Sequence, residues 1–378
     1  MPDPAPRSAK IAPEAVPRSP AARLDWLRLA RSRRVGPATF IRLIREHGSA
    51  TAALAALPRM AAEAGVRDYA PAAADGVLRE LEAGEAAGAR LLVFGASDYP
   101  PLLATISDPP PALWALGEPS LAERPAVALV GARNASALGC RMAARLAADL
   151  GRAGLVVASG LARGIDAAAH EAALATGTIA VQAGGIDEVY PPENAGLAAA
   201  IAAQGLRLSE MPFGHPPRPQ DFPRRNRIVS GLALGVVVIE GAERSGSLIT
   251  ARNALDQGRE VMAVPGNPLD ARAGGCNALI RDGAVLVRHA ADVAEALAEV
   301  LGERLVVPAP PAPTPEPPAA ADAPLGDRLL ARLGAAAVSE DLLTRDLAAP
   351  TAAVSAALVE LELEGRVRRH PGGLVSLA

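Results

Sequence analysis

From Arg90 to Val287 short β-rich runs alternate with alanine-rich stretches of helical apolar spacing. This alternation constrains the chain more than any other feature. Parallel strands need a crossover between them, and a helix is the common crossover, so the pattern predicts βαβ units around a parallel sheet. The clearest strands run from Ala126 to Val130, Leu155 to Ala158, Thr178 to Val181, Val236 to Glu240, Val261 to Val264 and Ala284 to Val287. The expected fold class is α/β, a doubly wound parallel sheet over residues 89–302.

The flanks read differently. Residues 1–22 hold six prolines and little apolar periodicity, which predicts a disordered lead. Residues 23–88 begin with Leu27, Leu29, Phe40, Leu43, Ile44 and Leu54 at helical spacing, broken at Val35, Gly36 and Pro37, and predict a small helical domain. A Pro/Ala tract makes residues 303–324 an expected linker. Residues 325–378 predict helices around Leu329 to Leu333, Asp341 to Leu347 and Thr351 to Glu364, then a hairpin turning at Pro371, Gly372 and Gly373. Three helices and a hairpin outline a winged helix.

With 378 residues the chain can hold two or three domains. Its 38 Lys and Arg against 41 Asp and Glu exclude a generally cationic surface, so any polyanion site must be local. Residues 1–50 nonetheless carry ten basic groups against four acidic ones. Cys140 and Cys276 form no C-x-x-C pair, and the five histidines lack ligand spacing. A reducing compartment, no structural metal and no cofactor are expected. No apolar run reaches the length of a membrane span, and the expectation is a cytoplasmic protein.

Ligands of a doubly wound sheet sit outside the carboxyl ends of its strands. Three segments there share a composition. Gly131 and Arg133 precede Ser136; Ser159 and Gly160 precede Arg163 and Gly164; Arg244 precedes Ser245, Gly246 and Ser247. Each combines glycine, which admits close backbone approach, with an arginine just ahead of a helix. A cation at a helix N-terminus is disfavoured by roughly 0.3–1 kcal/mol. A bound phosphate removes that conflict, held by backbone N–H groups and the guanidinium together. A single such arginine is more simply a solvated charge or a local ion pair, Arg244 with Glu243 or Arg163 with Asp166. Three on one sheet edge point to phosphate.

Arg224, Arg225, Asn226 and Arg227 follow Phe222 on a segment of helical spacing. A solvated basic helix face explains them nearly as well as a phosphate track, but with the loops they could meet several phosphates in series. A dinucleotide fingerprint is missing: Arg133 stands where a second glycine should admit pyrophosphate, and Ser159 replaces the acidic residue at the end of the next strand. Walker A and Gly-x-Ser-x-Gly patterns are absent as well, and Ser245 to Ser247 reads as a helix cap and phosphate-binding turn and not as a nucleophile. His170, four residues after Asp166, could hydrogen-bond to it, most simply in a structural role.

These residues, in this order, resemble the DprA family, also called Smf. The resemblance runs through Tyr99 to Leu103, Asp108 to Leu113, Val130 to Arg133, Ser159 to Asp166 with His170, Thr178 to Val181 and Asp187 to Asn194. It continues through Ser209 to Pro212, Phe222 to Arg227, Ser245 to Thr250, Gly258 to Val261, Pro265 with Gly266, and Asn277 to Ile280. It implies an extended Rossmann-like domain that dimerises, binds and protects single-stranded DNA in a basic pocket, and loads the RecA recombinase during natural transformation. It also implies a sterile-alpha-motif-like (SAM-like) N-terminal domain, although the Val35 to Pro37 break resembles helix-hairpin-helix DNA binders too, and a C-terminal winged helix. Family DNA contacts map onto Arg133, Arg163 and Arg224 to Arg227. The sequence departs from the family pattern at Ala132, at Gln182 with Ala183, and at Cys276, which leaves the arginines in place.

The third helix of the tail has no Lys or Arg between Thr351 and Glu364 but carries Glu360, Glu362 and Glu364. The tail is therefore expected to contact protein, or DNA only through Arg366, Arg368 and Arg369. The leading expectation for the whole chain is a DNA-binding recombination mediator and not an enzyme. The alternative, a nucleotide-processing hydrolase on a lysine-decarboxylase-like Rossmann fold, calls for a Pro-Gly-Gly-x-Gly-Thr run that the sequence lacks. Phe213, Phe222 and Tyr190 are the aromatic candidates for base stacking, each more simply read as core.

Overall fold

Burial on both faces decides where the strands run. The structure, a computed structural model, describes residues 11–302, 307, 324–330, 332–333 and 338–378. These fall into two compact units divided between residues 308 and 309. The first unit opens with helices α1 (Pro20–Arg31), α2 (Pro37–His47), α3 (Ala50–Glu63) and α4 (Ala74–Ala86). Strands β1 (Arg90–Val93), β2 (Ala112–Gly117) and β3 (Ala126–Val130) follow, then α5 (Ala137–Arg152), β4 (Val156–Ser159), α6 (Ile165–Ala173) and β5 (Thr178–Gln182). The unit continues with α7 (Ala195–Gln204), β6 (Leu206–Ser209), α8 (Asp221–Gly231), β7 (Gly235–Val238), α9 (Gly246–Asp256) and β8 (Glu260–Ala263). It closes with α10 (Gly274–Arg281), β9 (Val285–Leu286) and α11 (Ala290–Leu301).

Side chains alternate across a strand, and in β3 both sets are buried. Ala126, Ala128 and Val130 join a core with Ile228 and Val229 of α8 and Ala251 and Ala254 of α9. Val127 and Leu129 join the opposite core with Leu146 of α5, Ala169 of α6 and Leu297 of α11. Helices on both faces make the expected doubly wound layers. The sheet order is β1-β2-β6-β5-β4-β3-β7-β8-β9. It is parallel from β6 to β9, with Val127 opposite Gly235 in the β3–β7 pair. The expectation of a parallel sheet needs one correction, because β2 pairs antiparallel with β6 and β1 antiparallel with β2.

Strand β6 was absent from the expected set because Arg207 interrupts its apolar run. The side chain is only 6% exposed, and its guanidinium donates to Gln182 Oε1 at 2.7 Å and to the Ile186 carbonyl at 2.6 Å. The Gln182 departure thus holds a buried cation. The helical domain expected over 23–88 is built from α1 to α4. It shares one core with the sheet: Trp26 Nε1 donates to the Pro111 carbonyl at 2.8 Å, and Glu80 accepts from both Trp114 Nε1 and Arg31. The lead expected to be disordered over 1–22 is structured in its described part. Ile11 and Val16 pack on Gly95, Pro13–Ala15 form a 3₁₀ turn, and α1 begins at Pro20 behind a Ser19 cap. Residues 1–10 and most of the expected linker lie outside the described residues.

The second unit contains α12 (Leu325–Leu330), β10 (Val338–Ser339), α13 (Glu340–Leu347), α14 (Thr351–Leu363), β11 (Val367–His370) and β12 (Leu374–Leu377). Leu329, Leu343, Leu347, Val354, Leu358, Leu361, Val367 and Val375 form its core. The hairpin turns at Gly372 and Gly373, both at positive φ (87° and 68°), a region that glycine enters without steric cost. Strand β10, pairing with β12, adds a third strand to the wing.

Candidate nucleic-acid interface

Strands β3 and β7 are neighbours, and from them the chain winds in opposite directions, toward β6 and toward β9. The crevice beyond their carboxyl ends is the topological switch point where such sheets bind ligands. A cavity of about 210 Å³ opens there, lined by Gly131, Arg133, Gly160, Asp166, Phe222, Arg225, Asn226 and Ser245 to Ser247 among others. An adjoining pocket shares Arg133, Gly160, Phe222 and Arg225 and adds Arg163 and Tyr190. Arg133 and Arg225 therefore line both pockets, and Arg163, from a third segment, joins them in the second.

The glycines of the site are set by close approach. A Cβ on Gly131 would stand 2.6 Å from Ile165 and 2.9 Å from the Glu240 carbonyl. Gly164, at φ 75°, packs its backbone against the carbonyls of Ala132 and Arg133, so the start of α6 supports the loop that carries Arg133. On the other wall Asp221 accepts from the Arg218 N–H and pairs with His215 Nε2, both at 2.9 Å. That fixes the first turn of α8, which presents Phe222 and Arg225. Asn226 Nδ2 donates to the Gly246 carbonyl at 3.2 Å and ties α8 to the start of α9. Ser245 caps α9, accepting from the Ser247 N–H at 3.1 Å.

Arg225 forms the floor. It is 5% exposed, its Nη1 donates to the Val181 carbonyl at 2.9 Å, and its Nε has no hydrogen-bond partner among the described residues. Burial pulls its pKa down to about 10 against the opposing pull of Asp166, which leaves it charged at neutral pH. Burial also raises the pKa of Asp166, opposed by Arg225 and by N–H donors from Ala162 and Gly160. His170 does not bond to Asp166 as the helical spacing had suggested. Its Nδ1 lies 2.7 Å from Thr178 Oγ1, and that hydroxyl already donates to the Val157 carbonyl, so Nδ1–H is the donor. Burial holds His170 down to about 3, with Arg225 adding to the effect.

Several sequence candidates do not face the cavity. Arg227 is tied off: it pairs with Glu210 at 2.7 Å and Asp108 at 3.3 Å and is 11% exposed. Its basic-face reading fails because two carboxylates from other segments converge on it. Ser159 is fully buried and donates to the Leu129 carbonyl at 2.6 Å. Arg224 and Arg244 are exposed and lie outside the cavity wall. Arg163 makes a solvent-exposed pair with Glu193 at 3.1 Å, not with Asp166, an arrangement weak enough to exchange for another anion.

Glu240 was missed by sequence reasoning. Its carboxylate accepts from the Ser136 N–H at 2.9 Å and the Ser136 hydroxyl at 2.5 Å, at the N-terminus of α5. The helix tip that follows β3, where a dinucleotide fold would hold phosphate, is thus filled by the protein's own anion. The signal was an acidic residue closing an apolar strand. Phe222, read from sequence as core, instead lines the cavity, with the Arg133 guanidinium 4.7 Å from its ring centroid. Tyr190, 44% exposed, meets Phe222 edge-on at 5.8 Å. Phe213 packs on Trp114 at 5.0 Å, away from the site.

Comparison with known proteins gives a consistent picture. Residues 90–298 match the family described as DNA recombination-mediator protein A. Residues 20–83 match the DprA-like N-terminal HHH domain, and residues 311–373 match the DprA winged helix domain. DNA processing protein DprA of Bacillus subtilis is 44% identical over 224 residues, 58% of this chain and 75% of that protein. Protein Smf of Escherichia coli is 40% identical over 282 residues, 74% of this chain and 75% of that one. Among solved structures, DprA of Streptococcus pneumoniae superposes with a TM-score of 0.55 at 40% identity, covering 58% of this chain and 76% of that one. DNA processing protein A of Helicobacter pylori, solved to explain its single-stranded DNA binding mode, gives 0.52 at 28% identity, covering 56% and 96%.

Proposed function

From the premise that this chain belongs to the DNA recombination-mediator protein A (DprA/Smf) family, we propose that it binds and protects single-stranded DNA in the cavity at the β3–β7 switch point. It then hands that strand to the RecA recombinase, acting in the cytoplasm as a homodimer. The observation that carries the reading is the convergence of Arg133, Arg163 and Arg225 with Phe222 and Tyr190 around two adjoining pockets. Guanidinium groups supply the phosphate contacts, and an aromatic face supplies stacking that any base can use. The single-stranded DNA binding mode described for the Helicobacter pylori relative supports the same ligand class.

Two features favour a binding protein over a nucleotide enzyme. Glu240 occupies the α5 tip, which leaves no phosphate cradle there. His170, with a pKa near 3 and no exposure, cannot serve a ligand as a general base. The test is a binding comparison of an oligo-dT strand, the matching duplex and ATP, with nucleotide turnover followed in parallel. The single strand is expected to bind most tightly without turnover. Turnover that vanishes in Arg133→Ala would replace this reading with an enzymatic one, and failure to stimulate RecA filament growth would remove the hand-over step alone.

A further inference from the structure

Helix α14 carries two apolar stripes on opposite sides. Val354, Leu358 and Leu361 face the core of the second unit. Ala352, Ala356, Val359 and Leu363 lie exposed on the far side, with Val359 45% and Leu363 84% accessible. The outward residues are spaced four, three and four apart, which is the spacing of a helix-packing seam. A helix apolar on both sides ordinarily has both sides covered.

Charge restricts what can cover it. Glu360 and Glu362 stand on either side of the outward stripe, and α14 has no Lys or Arg. In a winged helix this is the helix that would enter a DNA groove, but two carboxylates beside an apolar seam repel phosphate. Two of the three wing arginines are engaged by carboxylates of this unit, and the third, Arg368, is exposed on β11. Arg369 pairs with Glu340 at 3.4 Å and Glu362 at 3.5 Å, and Arg366 lies 3.8 Å from Glu364. A second copy of α14 would set glutamate against glutamate.

We propose that the outward face of α14 docks a basic amphipathic helix of a partner protein, with its apolar residues on Val359 and Leu363 and its cations beside Glu360, the flanking carboxylate that Arg369 does not engage. The winged helix is then a protein-binding module and not a duplex reader.

The full chain can be titrated by fluorescence anisotropy with two labelled synthetic helices, each roughly three heptads long with leucine along the seam, one flanked by lysine and arginine and the other by glutamate. The basic helix is expected to bind at least about tenfold more tightly than the acidic one. Val359→Asp combined with Leu363→Asp should abolish that binding while melting temperature and single-strand affinity stay as in the wild type, since both side chains are exposed. Glu360→Lys, which leaves the seam intact, should narrow the preference. Equal affinity for the two helices, no binding of the basic one, or indifference to these variants overturns the proposal. So does competition by a duplex oligonucleotide, or a shift to monomer in the sedimentation of the double variant, which would make the occupant a second copy.

Discussion

A methyl group on Gly160 would stand 1.7 Å from Nη1 of Arg225, so the loop after β4 is reduced to backbone where the guanidinium of α8 lies against it. Gly160→Ala must push that guanidinium off the cavity floor. Single-strand affinity is expected to fall about tenfold, as for Arg225→Ala, and the double variant should lose little more, because both changes remove one interaction. Equilibrium binding of the four proteins in the cycle checks this. Additive losses would show that Gly160 and Arg225 act separately.

Phe222 and Arg133 divide the work by kind. Phe222→Leu should weaken binding by about 1–3 kcal/mol, the worth of stacking one base, with the salt dependence unchanged. A titration series in salt reads both quantities, and a changed slope would mean that the ring acts only by holding Arg133.

Arg227 belongs to the fold. Removing it strands Glu210, which is 12% exposed beside it, and breaking a buried pair of this kind costs about 3 kcal/mol. Arg227→Ala should therefore lower denaturation midpoints while the folded protein keeps its salt slope for DNA. Loss of binding without loss of stability would contradict this placement.

His170 sets an acid limit. Its folded pKa of about 3 lies below the 6.5 of a free imidazole, so the unfolded chain takes up a proton first as pH falls. Stability from this group is intact above about 6.5 and declines by at most roughly 1.4 kcal/mol per pH unit down to about 3. Asp166 acts with the opposite sign: its folded pKa is raised, so its protonation as pH falls through that raised value favours the folded state. Urea unfolding from pH 7 to 4 should show a shallower loss in His170→Gln than in the wild type. Parallel curves would remove His170 from the acid response.

Much of this was legible in the sequence where one physical rule dominates. Apolar runs buried on both faces marked β3, β4, β5, β7 and β8, and the Ser245 cap followed from local chemistry. Of the arginines ahead of helices, Arg133 and Arg163 line the pockets and Arg244 does not. Legibility failed where distant segments decide the outcome. Arg207 could sit inside β6 only because Gln182 and the Ile186 carbonyl receive it. Arg227 looked like its neighbour Arg224 until Glu210 and Asp108 converged on it. The α5 tip looked open because Glu240 is 104 residues away from Ser136 in the chain.

The most direct measurement is the salt dependence of oligo-dT binding by the wild type and Arg133→Ala, with the matching duplex alongside. Phosphate contact at the switch point predicts tighter single-strand than duplex binding, a log–log slope of several units, and a slope smaller by about 0.7 in the variant. Identical slopes for the two proteins, or duplex bound as tightly as single strand, would contradict it.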